Sequence, residues 1–271
     1  MRRVICALIV LALPASALAA DLDVLRGAEP VGPANFANWS GFYFGGQAGA
    51  SDISANFANS TQDPIAYVLR QTTLEADIAP SQWPVLGTAD HTGLTYGGFI
   101  GYNTQWQDVI LGIEGNYNHS SFSVSAPNAP IARLTPADSA GNTYIISISA
   151  VGTMSNFDYG TLRFRAGWIF DDYFLPYAFA GFALGHSDIN VTATVSGQEN
   201  LSGGGVVPID FSATAGKTGA FMYGGTIGGG MDVALTRNVF LRGEYEYTWF
   251  APVANITVTM SSFRGGAGFK F

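Results

Sequence analysis

Cysteine is nearly absent from this chain: its 271 residues include one, Cys6. Cys6 lies in an N-terminal segment that we expect to be removed, so the mature protein would carry no thiol. Without thiols a protein forms no disulfide, holds no metal through cysteine and has no cysteine nucleophile. The chemistry of the mature chain must therefore come from other residue types.

Charge is also scarce, and long hydrophobic runs are missing beyond the N-terminus. Only 12% of the residues are charged, whereas a soluble domain carries about 25%. No later stretch has the roughly 20 apolar residues that a membrane-spanning helix requires, which excludes a helical membrane protein. By contrast, 34 residues are glycine and 13% are aromatic. This composition is typical of a barrel whose apolar residues alternate with polar ones.

The N-terminus has the three parts of a secretory signal peptide. Arg2 and Arg3 form the basic start, residues 4–13 form the apolar stretch, and small residues follow up to the cleavage site, which we place after Ala19. The resulting segment, 1–19, is too short to span a membrane. Residues 20–38 show no periodicity and are predicted to be a flexible lead segment on the periplasmic side.

The mature chain is acidic. Removal of Arg2 and Arg3 leaves ten basic residues against 20 acidic ones, a net charge of −10. Because nucleic-acid binding needs a basic surface, nucleic acid is excluded as a partner.

From Trp39 onward, apolar and polar residues alternate with a period of two, which predicts β-strands. In the clearest segment, Leu241 and Tyr245 alternate with Arg242 and Glu244. The segment 174–186 is apolar on both faces, so its register stays open. The eight predicted strands begin at Trp39 and then cover about 93–106, 109–122, 158–170, 174–186, 219–234, 239–250 and the C-terminal 262–271.

Two kinds of connection alternate between these strands. Tight turns lie at 107–108, 171–173 and 235–238, whereas about 40, 35 and 32 residues separate three other pairs. All tight turns then fall at one end, as in outer-membrane barrels. Alternation within two loops, at 144–151 and 190–195, predicts that strands extend beyond the bilayer as a ribbon. The sequence thus predicts an all-β fold, an eight-stranded antiparallel up-and-down transmembrane β-barrel over residues 39–271 with long extracellular loops and short periplasmic turns.

Charged residues on the faces opposite the aromatic residues would point into the barrel. Eight strands enclose an interior just wide enough for side chains to fill it, and buried charges must be paired. We therefore predict a lumen plugged by ion pairs, with a narrow ion path as the alternative. The predicted network comprises Glu114, Arg163, Arg165, Asp232, Arg242, Glu244, Glu246, Arg264 and Lys270.

Aromatic residues near strand ends are predicted to face outward and to form membrane-interface girdles. A carbohydrate-binding aromatic patch is the rival interpretation. Trp39, Trp106, Trp168 and Phe271 would lie at the periplasmic rim, and Tyr117, Tyr247 and Trp249 toward the outer rim. The alternating C-terminal segment, with Phe269 and the terminal Phe271, is also predicted to be the signal for insertion.

All three histidines, His91, His119 and His186, lie near outward strand ends. Strand alternation places His91 and His186 inward and His119 outward. A His–Asp pair at a rim could bind a metal or act as a general base, but no partner has diagnostic spacing. We assign no catalytic, cofactor or metal residue and interpret the histidines as polar residues at loop bases.

The predicted loops form an acidic crown, either plain solvated surface or a site for divalent cations that bridge to lipopolysaccharide phosphates. Its acids are Asp52, Asp63, Glu75, Asp77, Asp90, Asp138, Asp188, Glu199 and Asp210, against Arg70, Arg133 and Lys217.

Seven short stretches carry a family resemblance: 39–46, 97–103, 111–115, 163–168, 175–178, 241–247 and 268–271. Together they resemble the small outer-membrane β-barrel proteins of the opacity/OmpA-like superfamily, particularly its α-proteobacterial branch. The resemblance implies a Gram-negative outer membrane, contact with its lipid and lipopolysaccharide, and assembly by the barrel-assembly machinery through the C-terminal strand. It also implies a structural role in envelope integrity and loop contacts with a host or surface ligand. A small-solute channel, a rim hydrolase or ligand-binding barrel, and a soluble β-barrel are the alternatives.

Overall fold

The computed structural model describes residues 38–271. The predicted signal peptide and the lead segment up to residue 37 lie outside the described residues, and both stay predictions. Two short helices, α1 (Gln62–Leu69) and α2 (Thr73–Ile78), precede a 3₁₀ turn at Pro80–Gln82. The strands are β1 (Gly41–Asn56), β2 (Thr88–Trp106), β3 (Val109–Ser125), β4 (Ile131–Leu134), β5 (Thr143–Trp168), β6 (Phe174–Asn200), β7 (Val206–Ala234), β8 (Val239–Phe250) and β9 (Thr257–Lys270).

Eight of these strands form a closed antiparallel ring. Each strand pairs with its neighbour in the chain, β9 pairs with β1, and β3 pairs with β5. The pairing of Tyr43 with Lys270 joins the first and last strands, and Glu114 lies opposite Arg163 across the β3–β5 pair. The short strand β4 is an addition that pairs only with the start of β5. The predicted eight-stranded antiparallel barrel is therefore confirmed.

At the end opposite the tight turns, several strands run past their predicted bounds, in line with the alternation at 144–151 and 190–195. β5 begins at Thr143, β6 continues to Asn200 and β7 begins at Val206. The β6–β7 connection thereby shrinks to 201–205, and the paired extensions form a hairpin. Register shifts occur in β3–β5, β5–β6 and β6–β7 near the same level. Such bulges bend strands and increase their twist, so they mark the transition from the barrel to its extension.

The β1–β2 connection, residues 57–87, is folded, and we call it the lid. Its helices bury Ile65, Leu69 and Leu74 in one apolar cluster with side chains of the barrel strands. The Thr72 hydroxyl caps α2 by accepting from the backbone N–H of Glu75 at 3.3 Å, and Ala79 ends it with φ of 49°. The lid therefore covers the mouth of the barrel at the end opposite the tight turns. No helix within residues 38–271 is long and apolar enough to cross a membrane.

The interior has four levels from the tight-turn end to the lid. The first is largely aromatic, the second is charged, the third carries hydroxyl and amide groups, and the fourth is apolar. Buried side chains of the first level include Trp39, Tyr43, Phe99, Leu175 and Phe240. Those of the third level include Gln47, Ser51, Thr95, Asn116, Asn118, Ser120, Thr226, Thr248 and Ser262. The fourth level includes Ile53, Ile146, Ile148, Phe157, Val195 and Val258 beneath the lid.

Candidate functional site: the closed lumen and a surface cleft

The charged level of the lumen is a balanced network of four carboxylates and four guanidinium groups. These eight side chains come from β3, β5, β7, β8 and β9, and each is at most 2% exposed. They are Glu114, Asp232, Glu244 and Glu246 with Arg163, Arg165, Arg242 and Arg264. The structure thus brings together eight of the nine residues that the sequence assigns to a lumen network.

Glu114 lies at the centre of one half of the network and contacts three arginines. Its carboxylate lies 2.5 Å from Arg163, 3.2 Å from Arg165 and 2.8 Å from Arg242. The hydroxyl of Tyr43 donates to the same group at 2.7 Å. The side-chain amide of Asn116 also donates to it, at 2.9 Å. Three cations and two neutral donors therefore surround one buried carboxylate.

The other carboxylates are each bound by at least two arginines. Arg163 donates to both oxygens of Glu244 at 2.7 Å, and Arg264 donates to Glu244 at 2.7 Å. Arg264 also binds Glu246, which lies 3.6 Å from Arg163. Asp232 receives Arg165 at 2.7 Å and Arg242 at 2.8 and 3.0 Å. Such paired, charge-assisted contacts fix both position and register.

Aromatic rings pack against three of the four guanidinium groups. Arg163 lies 4.1 Å from the ring of Phe179, and Arg165 lies 3.8 Å from the ring of Tyr177. Arg242 lies 4.1 Å from the ring of Phe99. The sequence analysis does not assign Tyr177 and Phe179 because the register of 174–186 is open, and it does not single out Phe99 among the residues of 93–106. The structure resolves it: odd positions from 175 to 179 are buried and even positions are exposed.

Lys270, the ninth predicted member, lies apart from the network. Its ammonium donates to the carbonyl of Asn38 at 2.5 Å and lies 4.7 Å from the ring of Trp39. It therefore belongs to the aromatic level at the tight-turn end. Its removal from the predicted set leaves four acids against four bases, so the network is neutral.

The predicted girdle residues lie on the outer face, with one exception. Trp39 is buried, and its ring meets that of Phe240 at 6.0 Å. The prediction of an outward Trp39 is wrong because the two-residue period of β1 puts position 39 on the inner face with Tyr43. The exposed residues are Trp106, Trp168 and Phe271 near the tight turns, Tyr117, Tyr247 and Trp249 toward the other end, and Phe269 beside Phe271.

The three histidines do not converge on one site. His119 binds Asp158 at 2.5 Å on the outer face of the barrel. His186 packs against the exposed ring of Phe221 at 5.2 Å, so its predicted inward position is wrong. His91 is exposed. Within residues 38–271 no three His, Cys, Asp or Glu side chains are grouped as a metal site would require.

A cleft of about 320 Å³ opens on the surface between the lid and the extensions of β5, β6 and β7. The lid contributes Leu74 and the polar residues 71–73 to its lining, and β7 contributes Val207, Ile209 and Phe211. Glu199 of β6 also lines it. The cleft thus combines apolar side chains, most of them from β7, with a carboxylate.

Asp138 ties the lid to β5 beside this cleft. Its carboxylate accepts from the hydroxyls of Thr73 and Tyr144, each at 2.7 Å, and from the backbone N–H groups of Ala140 and Asn142. The hydrogen bonds from Thr73 and Tyr144, followed by those from the backbone, lower the pKa of Asp138 to about 2. The ionised form is therefore the one that holds the lid.

Acid is expected to loosen the lid. A lowered pKa in the folded state stabilises the fold above the ordinary value of 3.8, and that contribution is lost as the pH falls toward 2. Pepsin should therefore cleave within 57–87 faster as the pH falls from 4 to 2. Asp138→Asn should be cleaved faster already at pH 4, whereas Asp90→Asn, a change at an exposed acid, should match the wild type. Equal cleavage of all three proteins at pH 4 would exclude this role.

Comparisons with known proteins give a matching family model and several similar solved structures. The family model described as outer membrane protein beta-barrel domain matches residues 5–271. Neisserial surface protein A is similar over 86% of this chain and 98% of its own, with 17% identity and a TM-score of 0.38. Ail, the attachment invasion locus protein of Yersinia pestis, is similar over 86% of this chain and 99% of its own, with 12% identity and a TM-score of 0.32.

The N-terminal β-barrel domain of Pseudomonas aeruginosa OprF is similar over 83% of this chain and 97% of its own, with 14% identity and a TM-score of 0.34. No curated protein matches the chain. The α-proteobacterial branch stays a prediction. The family model spans nearly all of the sequence and the strands close into the expected ring, so this chain belongs to the outer-membrane β-barrel family, whose members reside in the Gram-negative outer membrane.

Proposed function

We propose that the chain is a non-conducting outer-membrane barrel that anchors a folded surface structure for contacts outside the cell. The observation that carries this proposal is the filled interior. Four levels of side chains follow one another along the lumen, and two of them, the balanced ion pairs and the apolar cluster under the lid, close it independently.

The closed lumen argues against the channel alternative. A solute path needs a continuous gap, yet the guanidinium and carboxylate groups of the charged level touch one another across the whole interior. The space between Trp39, Tyr43 and Asn103 at the tight-turn mouth is too small to admit a water molecule. Opening a path would separate buried charges, which costs several kcal/mol for each unpaired ion.

The surface structure is large for so small a barrel. From Ser187 to Asn200, β6 extends about 45 Å beyond its register shift at roughly 3.3 Å per residue. The lid packs against the inner face of this extension, while Thr192, Thr194, Ser212 and Thr214 pair across its other face. A rigid, largely polar hairpin supported by a packed lid is suited to contacts with other surfaces.

The outer face of the barrel suggests two further kinds of partner, the membrane lipids and the barrel-assembly machinery. Exposed aromatic residues at both ends of the strands would contact lipid and lipopolysaccharide at the interfaces. Phe269 and Phe271 contact each other at 5.3 Å, and Phe271 contacts Phe44 at 5.9 Å. This exposed aromatic end of β9 is the part of the chain that the barrel-assembly machinery would bind.

A shortened hairpin tests the surface role. In the variant, residues 190–216 are replaced by a two-residue Asn-Gly turn, which joins the paired positions Ile189 and Lys217. Cells that carry this variant should attach less to abiotic or host-cell surfaces than wild-type cells, while their resistance to detergent stays unchanged. Cells that lack the protein serve as the baseline. Attachment at the wild-type level would contradict the proposed role.

A further inference from the structure

The extension of β7 has a free edge. Between Val206 and Lys217, β7 pairs on one side with β6. Its pairing with β8 begins only at Gly224, and no strand within residues 38–271 pairs with the other side of the extension. A free edge of this length presents a row of backbone donors and acceptors to which an extended segment can add.

The surface cleft lies directly beside this edge. Val207, Ile209 and Phe211 alternate along β7 and turn their side chains toward the cleft, where Leu74 faces them from the lid. A strand that adds to the edge would turn every second side chain toward the same cleft. The edge and the apolar side chains of the cleft therefore suit one occupant, a segment in extended conformation with alternating apolar residues.

Glu199 gives the cleft a charge preference. One of its oxygens accepts from Asn142 at 2.7 Å and lies 3.2 Å from the hydroxyl of Tyr144, whose single hydrogen is shared with Asp138. The second oxygen accepts no hydrogen bond from the described part of the chain, and no cation there lies within 4 Å of Glu199. Two carboxylates thus share one hydroxyl without a counter-charge, which is complementary to a lysine or arginine side chain.

We propose that this cleft and the β7 edge bind an extended basic–apolar peptide segment of another protein, whose lysine or arginine pairs with Glu199. The inference rests on the proposed surface role and names its partner class. A second copy of this chain is a poorer occupant, since its matching edge, residues 206–216, carries Asp210 and no lysine or arginine to pair with Glu199.

A peptide library tests the assignment directly. Random twelve-residue peptides are displayed on phage and selected on the refolded barrel in lipid nanodiscs. Selection should enrich sequences with alternating apolar residues and one lysine or arginine. Synthetic peptides from the enriched set should lose at least about tenfold in affinity for Glu199→Gln, because one partner of a partly desolvated charge pair is removed. Asp90→Asn is the control; it removes an exposed charge from β2, which contributes neither to the cleft nor to the β7 edge, and should bind like the wild type.

Hydrogen exchange supplies a second readout. Bound peptide should slow exchange of backbone amides in 206–217, while amides of β8 stay unchanged. No enrichment, enrichment without basic residues, equal affinity for Glu199→Gln, or protection limited to other strands would each overturn the proposal. Self-association of the barrel through 206–217 would also overturn it, in favour of a second copy as the occupant.

The two proposals can fail separately. If hairpin shortening abolishes attachment while no peptide binds the cleft, the surface role stands and the peptide assignment fails. If attachment survives the shortening, the surface role fails whatever the cleft binds.

Discussion

Replacing Glu114 by glutamine is expected to lower the free energy of unfolding of the barrel by about 3–5 kcal/mol, the cost of breaking a buried ion pair by removing one partner. The carboxylate contacts Arg163, Arg165 and Arg242, so its loss leaves four buried cations facing three anions. Urea titration of the refolded barrel in detergent, followed by heat-modifiable gel mobility, measures the change. Asp52→Asn, at an exposed acid of β1, should shift the midpoint little.

A double replacement separates charge imbalance from lost packing. Arg165 contacts both Glu114 and Asp232, and Glu114→Gln with Arg165→Gln restores equal numbers of acids and bases. We expect the double variant to regain about half of the stability lost by Glu114→Gln, because contacting residues are not additive. A double variant less stable than the additive sum would show that charge balance is not what holds the lumen.

Removing the lid is expected to uncover an apolar mouth without unfolding the barrel. The backbone N–H of Phe57 donates to the carbonyl of Gly87 at 3.2 Å, so a two- to four-residue connector can replace 58–86. The apolar cluster beneath then loses Ile65, Leu69 and Leu74. Each such side chain contributes about 1.5–3 kcal/mol when fully buried. The truncated barrel should keep its heat-modifiable mobility and bind an apolar fluorescent dye several-fold more strongly than the wild type.

A single substitution provides the matched comparison. Leu69→Ala should open the lid in part and give intermediate dye binding, whereas Tyr67→Ala, two residues away on the exposed side of α1, should give the wild-type signal. Unchanged dye binding in the truncated barrel would mean that the lid does not cover the mouth. Loss of heat-modifiable mobility would mean that the barrel depends on the lid to fold.

The barrel could be predicted from sequence because the signals for its strands and turns lie in short, contiguous segments of the chain. Alternation with a period of two assigns Glu114, Arg163 and Glu244 to one face, and the tight turns fix the order of the strands. The contacts between those side chains could not be derived, because they depend on registers between strands far apart in the chain. The same two-residue alternation puts Trp39 on the inner face. It was assigned to the outer face because aromatic residues are expected at the rim.

The lid was beyond the sequence signals used, and the extensions were predicted only in part, from the alternation at 144–151 and 190–195. Ile65 and Leu69 stand four residues apart, the spacing of a helix face, but two helices of eight and six residues are short signals within a long connection. The hairpin of β6 and β7 is rich in small and hydroxylated residues, which weakens its alternation. Tertiary packing against the lid, rather than local propensity, determines that these segments form strands.

Single-channel conductance of the refolded barrel in a planar lipid bilayer tests the central claim of a closed lumen. The wild type and the lid-truncated variant should both give no current steps, since the ion-pair level alone closes the interior. Heat-modifiable mobility of the same samples shows that they are folded. Steady, charge-selective steps that change when Arg242 or Glu244 is replaced would contradict the account and make this protein a pore.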